Sequence, residues 1–297
     1  MMERRLRRTS LYIPGTNPGM LANASVYGAD SIILDLEDGV PVSEKDAARI
    51  LVRNALRAIR YRGVEITVRV NALCTPFGKD DFEEIIPLAP DAIRLPKCES
   101  PEDVRQADAL MSELESRNEI QPGTVQIIAI TESASGGTKL SEIAAASPRI
   151  AALNYGAEDY TADIGAVRTK EGHELDDIRA KVIVAARIAG VQALDSVFGD
   201  VNDMDGLYAE AFRVRQLGFD GKSVIHPRQI SVVHSAFTPS EKEIGFAERV
   251  MKAFHEAASR GAGVIALDGR MIDAPVVARA QKIIALAEAA GCLLIEG

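Results

Sequence analysis

Several apolar runs in this chain have the length of a buried strand and end in charge. They are Ser31-Ile-Ile-Leu-Asp-Leu-Glu-Asp38, Ile66-Thr-Val-Arg-Val-Asn71, Ala92-Ile-Arg-Leu-Pro-Lys97, Val125-Gln-Ile-Ile-Ala-Ile-Thr-Glu132 and Ile150-Ala-Ala-Leu-Asn-Tyr-Gly-Ala-Glu-Asp159. A buried strand does not finish in charge unless its end opens into a site. In a parallel α/β barrel the C-terminal strand ends form the catalytic face. The pattern therefore predicts that Glu37, Asp38, Arg69, Lys97, Glu132 and Asp159 meet at one mouth. Carboxylates crowded together repel, and a divalent cation relieves them. A metal-assisted enzyme is the reading that follows.

Strand and helix patterns alternate along most of the length, which predicts a parallel sheet. Eight candidate strands begin near Ser10, Ser31, Ile66, Ala92, Val125, Ile150, Gln192 and Lys222. Helical periodicity fills the gaps at Met20 to Tyr27, Ser43 to Ile59, Pro101 to Arg117, Leu175 to Ala189 and Met204 to Leu217. Ser43 is the expected N-cap of the second helix, with Asp46 at N3, and Ser100-Pro101 opens the third. Gly190 and Gly218 are C-terminal stops. Eight such units make an α/β fold, a (β/α)8 TIM barrel. An open doubly wound sheet would advertise a phosphate turn such as GxGxxG, and the chain has none. The barrel is expected over residues 1–235. A short C-terminal helical and hairpin extension follows over 236–297, with a helix from Ser240 to Ser259, a hairpin over Gly261–Gly269 and a helix from Pro275 to Ala290. It is too small to be an independent domain and is expected to contact a neighbouring subunit.

With 297 residues, nearly half of them apolar and 26% charged, the chain has ample core for a globular fold. A net charge of −9 argues against nucleic acid as a partner, though not against an anionic small molecule. Cys74, Cys98 and Cys292 form no CxxC pair, so no disulfide framework or zinc cluster is indicated and reduced thiols in a cytoplasmic setting fit. The basic start, Met1-Met-Glu-Arg-Arg-Leu-Arg-Arg8, lacks the apolar stretch of a signal peptide, and no window is apolar enough for a membrane span.

Each candidate has a functional and a structural reading. Glu132 and Asp159 close consecutive strands; two carboxylates with water and substrate oxygens suit Mg²⁺, but acids there also cap helices. Arg69, inside an apolar run, needs a partner. Its planar fork suits a substrate oxygen, and an ion pair with Glu37 or Asp38 is compatible with that. Period two puts Asp35 and Glu37 on one face and Asp38 on the other. Tyr12 and Pro14, on the turn closing the first strand, together with Gly156, Ala157 and Lys97, complete the candidate substrate-binding set. The small residues Gly156-Ala157 would let backbone N–H groups meet an anion. Lys97 could form a Schiff base. His226 could be an acid or base, or structural; Lys45 and Arg49 could border a phosphate-bearing arm, or lie on a solvated helix face.

Taken in order and spacing, Leu11-Tyr-Ile-Pro-Gly15, Leu34-Asp-Leu-Glu-Asp38, Val68-Arg-Val-Asn71, Arg94-Leu-Pro-Lys97, Gly156-Ala-Glu-Asp-Tyr160, Gln216-Leu-Gly-Phe-Asp-Gly-Lys-Ser223, Pro227-Arg-Gln-Ile230 and Asp268-Gly-Arg-Met-Ile-Asp273 resemble the citrate lyase beta subunits and the related citryl-CoA and malyl-CoA lyases. The resemblance covers nearly the whole chain. It implies a Mg²⁺-dependent barrel lyase in which Glu132 and Asp159 hold the metal and Arg69, oriented by Glu37 and Asp38, contacts substrate. Asp273, on a tail that crosses to a neighbouring subunit, would be the acid/base. A homo-oligomer, typically a trimer, is implied, as is an acyl thioester substrate, citryl-CoA or citryl-acyl carrier protein, with citrate lyase alpha and gamma subunits as possible partners. Asn17 and Asn23 stand where malyl-CoA lyases tend to be basic, favouring the citrate lyase pattern, whereas His226 replaces an expected Asn. The alternatives are a malyl-CoA or citramalyl-CoA lyase, a malyl-CoA thioesterase, or a non-catalytic acyl-thioester-binding scaffold.

Overall fold

The computed structural model describes residues 5–258, 265–268 and 270–293. Two compact units are present, Arg7–His234 and Ser235 onward with the residues up to Leu6.

The first unit is a closed barrel of eight parallel strands in sequential order. These are β1 (Thr9–Pro14), β2 (Ser31–Asp35), β3 (Glu65–Arg69), β4 (Ala92–Leu95), β5 (Gln126–Thr131), β6 (Ile150–Tyr155), β7 (Gln192–Asp195) and β8 (Gly221–Val224). Each starts within a residue of the position expected from apolar patterning, because a strand buried on both faces leaves a continuous apolar signature. The barrel closes where β1 pairs with β8 through Thr9↔Lys222 to Leu11↔Val224. The β5–β6 register shifts between Ile127 and Ile128, after which Thr131 lies level with Tyr155.

The connections carry α1 (Pro18–Ala22), α2 (Lys45–Ala58), α3 (Gly78–Ile85), α4 (Pro101–Arg117), α5 (Ala134–Thr138), α6 (Leu140–Ala144), α7 (Ala157–Asp163), α8 (Asp176–Ala189) and α9 (Met204–Leu217). The helix α4 opens with the expected cap, a reciprocal capping box of Ser100 and Asp103. Gly190 and Gly218 end α8 and α9 at φ of 74° and 117°, a region that other residues enter only with strain. The expected Ser43 cap is absent: residues Val42–Glu44 form a 3-10 turn, Glu44 precedes the first residue of α2, and no side chain caps it. The helix expected from Met20 to Tyr27 is two pieces, α1 and a 3-10 turn over Ala24–Tyr27.

Buried charge networks tie helices to strands. Lys222 Nζ lies 2.5 Å from both Asp195 and Glu210, and Arg179 is 3.1 Å from the same two carboxylates; Lys222, Arg179 and Asp195 are fully enclosed. That cluster links β7 and β8 to α8 and α9. At the barrel's N-terminal end Arg7 donates to Glu65 of β3 at 2.7 Å and to Gln192 of β7. Every buried charge in these sets has an opposite charge beside it, as the low dielectric requires.

The division between the units falls within α10 (Arg228–Phe237). In the second unit, α11 (Glu241–Ala258) and α12 (Ala274–Ala289) bury Ala247, Val250, Val277 and Ala280 together with Ile272. An antiparallel pair, β9 (Ile265–Leu267) and β10 (Arg270–Ile272), supplies the expected hairpin, shifted toward the C-terminus. Residues 261–264 and Gly269 of the expected hairpin, and Ser259 of the expected helix, lie outside the described residues.

Candidate active site

The C-terminal ends of β2, β3, β4 and β5 and the start of α7 carry the acidic and basic residues singled out from sequence. Arg69, the last residue of β3, is in register with Asp35, the last of β2. Its Nε and Nη2 donate to the two Asp35 oxygens at 2.6 and 2.7 Å, a bidentate fork. Its Nη1 lies 2.8 Å from Glu37 and 3.2 Å from Asp38. Burial works against the guanidinium charge, but these carboxylates outweigh it and hold Arg69 charged. The Tyr12 ring packs beneath the guanidinium at 4.8 Å.

Asp35 was expected to share a face with Glu37, and Asp38 to point away. All three converge on Arg69 instead, because β2 ends at Asp35 and the chain turns there. Asp35 makes the turn: its carboxylate accepts from the N–H groups of Glu37 at 3.0 Å and Gly39 at 2.9 Å. Two-residue alternation holds only while the chain stays extended.

Lys97 extends the cluster. Its Nζ is 3.2 Å from Glu37, and its backbone sits at φ 55°, left-handed and unusual for a side chain of this size. Burial tends to lower the amine's pKa, but the Glu37 charge raises it overall. A lysine kept protonated is a poor Schiff-base nucleophile. Glu37 itself is pushed up to about 6 by burial, against the pull of Arg69.

Glu132 follows β5 and is buried, and its Oε2 has no hydrogen-bond partner among the described residues. Burial first, then the charges of Glu37 and Asp159, push its carboxyl up to about 8 despite Arg69. A carboxylate enclosed, unpaired and pressed by other acids is a group that a cation would satisfy. Gly156 leaves room for it: a Cβ there would stand 2.9 Å from Glu132 Cγ. Asp159 is exposed in the first turn of α7. No three His, Cys, Asp or Glu side chains form a closed metal cage among the described residues. Two carboxylates and open positions instead match Mg²⁺, which keeps much of its water. The donor set therefore fits this metal.

Other expectations change. The N–H groups of Gly156 and Ala157 are both engaged, with Thr131 O and Ser196 Oγ at 3.0 Å each, so as placed they offer an anion no free donor. Lys45 and Arg49 do not lie on a solvated face. Both are buried, Lys45 on the carbonyls of Leu36 and Glu37, Arg49 on Asp81 at 2.7 Å. His226 Nδ1 accepts from Arg228 N–H at 3.1 Å and caps the turn into α10. Pro14 ends β1. Asn17 caps α1, accepting from Met20 N–H at 3.0 Å, and Asn23 bonds Gly19 O. Cys98 is buried with its thiol pKa pushed upward, unlike a nucleophile. Asp273 belongs to the second unit and caps α12, accepting from Val276 N–H at 3.2 Å.

Residues 8–227 match the HpcH/HpaI aldolase/citrate lyase family. The chain belongs to that family. As a member of the HpcH/HpaI aldolase/citrate lyase family it is a carbon–carbon lyase. It is 45% identical over 97% of its length to citrate lyase subunit beta of Leuconostoc mesenteroides subsp. cremoris, covering 96% of that protein. The CitE protein of Mycobacterium tuberculosis, in complex with magnesium, acetoacetate and coenzyme A, superposes with a TM-score of 0.78 at 34% identity, covering 97% of this chain and 100% of that one. The citrate lyase beta subunit complexed with oxaloacetate and magnesium from the same organism gives 0.68 at 33% identity, covering 80% and 99%. The eight-stranded barrel is thus the family's fold. No helix among the described residues is long and apolar enough to cross a membrane.

Proposed function

We propose that the chain cleaves a citryl thioester, citryl-CoA or citryl-acyl carrier protein, to oxaloacetate and an acetyl thioester. Glu132, with its enclosed and unpartnered oxygen, is the observation that carries this reading. Glu132 and Asp159 would hold Mg²⁺, which when bound supplies Lewis-acid polarisation of the substrate's hydroxyl and carboxylate oxygens. Arg69, fixed by Asp35, Glu37 and Asp38, offers its guanidinium to the thioester oxygen, where negative charge collects as the bond breaks. Asp273 takes the hydroxyl proton. The electrons of the broken carbon–carbon bond pass to the acetyl thioester as its enolate, and return of the proton from Asp273 to the enolate carbon completes the product and resets the base. Lys97 and Tyr12 line the approach and bind the anionic substrate, and Gly156 keeps the space that Glu132 occupies. Asp273 acts from a neighbouring subunit of a homotrimer in the cytoplasm, alongside alpha and gamma subunits.

The test is oxaloacetate release from (3S)-citryl-CoA by the isolated chain, with Mg²⁺ and with chelator. Metal-dependent release is expected. Release that persists in chelator refutes the metal reading, and cleavage of malyl-CoA or citramalyl-CoA without citryl-CoA cleavage refutes the substrate.

A further inference from the structure

The acidic turn that follows β2 is bound on both of its polar sides. On the N–H side the Asp35 carboxylate accepts from Glu37 and Gly39. On the carbonyl side stands Lys45, the first residue of α2. Its ammonium donates to Leu36 O at 2.8 Å, Glu37 O at 2.7 Å and Asn71 Oδ1 at 2.8 Å. These three bonds use all three ammonium protons. Lys45 is buried and has no carboxylate within ion-pair distance among the described residues. Asn71 continues the arrangement, donating through Nδ2 to Leu36 O at 2.8 Å and to Asp81 at 2.6 Å. Asp81 is in turn held by Arg49 at 2.7 Å.

A buried ammonium directed at carbonyls is costly, since it loses water while the charges of Glu37, Asp35, Asp81 and Asp38 act on it only from beyond ion-pair distance and do not offset that loss. Leu36 O and Glu37 O also accept from Asn71 Nδ2 and Val40 N–H, respectively, so the need to satisfy these two carbonyls does not by itself account for a buried ammonium here. What the bonds do is fix the carbonyls on either side of the Glu37 α-carbon. With its N–H held by Asp35 and its C=O by Lys45, Glu37 has little freedom. Its carboxylate is thereby aimed at Arg69 and Lys97 together.

We propose that Lys45, supported by Asn71, is a positioning residue for the lyase reaction: it sets Glu37, and through Glu37 the guanidinium of Arg69. The inference rests on the proposed function above. It is tested by Lys45→Met in wild-type and Glu37→Gln backgrounds, measuring kcat, KM, Mg²⁺ affinity by calorimetry, and amide hydrogen exchange at Glu37 and Gly39. The expected result is a kcat loss of about tenfold or more with Mg²⁺ affinity within about twofold, and less than about twofold further loss in the Glu37→Gln background, because one unit is being removed twice. Exchange at Glu37 and Gly39 is expected to speed up by about tenfold. Unchanged kcat, or equal fold losses in both backgrounds, overturns the proposal. Where Lys45→Met does not fold, Lys45→Gln, which keeps an amide donor, is read by the same criteria. If the wild-type chain releases no oxaloacetate, the substrate reading fails by itself, and the exchange rates then decide the clamp: unchanged exchange overturns it.

Discussion

Glu132→Gln separates the physics of the cluster from the chemistry of turnover. In the metal-free protein the Glu132 carboxyl is raised from 4.5 to about 8. Below pH 4.5 it is protonated in both folded and unfolded chains and costs nothing. As pH rises, the unfolded chain releases this proton while the folded one keeps it, so the folded state loses about 1.4 kcal/mol per pH unit until pH passes about 8. The loss reaches roughly 3 kcal/mol by pH 7 and at most about 5 kcal/mol above pH 9. Glutamine has the same shape and no charge. Denaturant unfolding of both proteins in chelator at pH 5, 7 and 9 should show the variant gaining on the wild type by about these amounts, titrations remote from Glu132 cancelling in the difference. Mg²⁺ should then reverse the order, stabilising the wild type in proportion to the logarithm of its concentration and leaving the variant nearly unmoved. A difference that is flat with pH, or equal stabilisation of both by Mg²⁺, would refute the reasoning.

Asp159→Ala is expected to abolish Mg²⁺-dependent turnover while circular dichroism stays unchanged; full activity in chelator would contradict it. Gly156→Ala places a methyl 2.9 Å from Glu132 Cγ and should weaken Mg²⁺ binding in calorimetry by about tenfold or more. Asp195→Asn leaves Lys222 and Arg179 with Glu210 as their remaining carboxylate, so unfolding should become easier by about 3–5 kcal/mol. Burial opposes the Asp195 charge, but Lys222 and Arg179 hold its pKa below the ordinary value. The wild type's advantage should therefore be present above pH 4 and shrink as pH falls through that depressed value. Mixing inactive Asp273→Asn and Arg69→Ala chains should restore part of the activity if the acid/base crosses between subunits; persistent inactivity after demonstrated subunit exchange would place it within one chain.

Strand positions were legible because burial on both faces writes them as uninterrupted apolar runs, and the charges at their ends marked which rim would be polar. The residues that shape that rim were harder to read. Asp35 looked like one acid among three, yet it both makes the turn and takes the bidentate fork of Arg69. That role depends on where β2 stops, and periodicity does not encode a stop. Lys45 and Arg49 fall on a helix as any surface cations would. Only the three-dimensional return of Asn71 and Asp81 buries them. The short helices α5, α6 and α7 leave no signature in the sequence, because five to seven residues are too few to display a period. His226 drew attention through its chemistry, whereas its placement gives it a turn to cap.

The β1–β8 seam has a consequence for synthesis. Thr9 and Ser10 find their partners at Lys222 and Ser223, more than two hundred positions later. A chain emerging from the ribosome carries one flank of its first strand unpaired until nearly the whole barrel has been made. Even Arg7 must wait for Gln192. The newest strand and the oldest strand each present an open row of amide groups through that interval, the surface on which nascent chains stick to one another. The last connection therefore ends the chain's exposure to its neighbours as well as completing the cylinder.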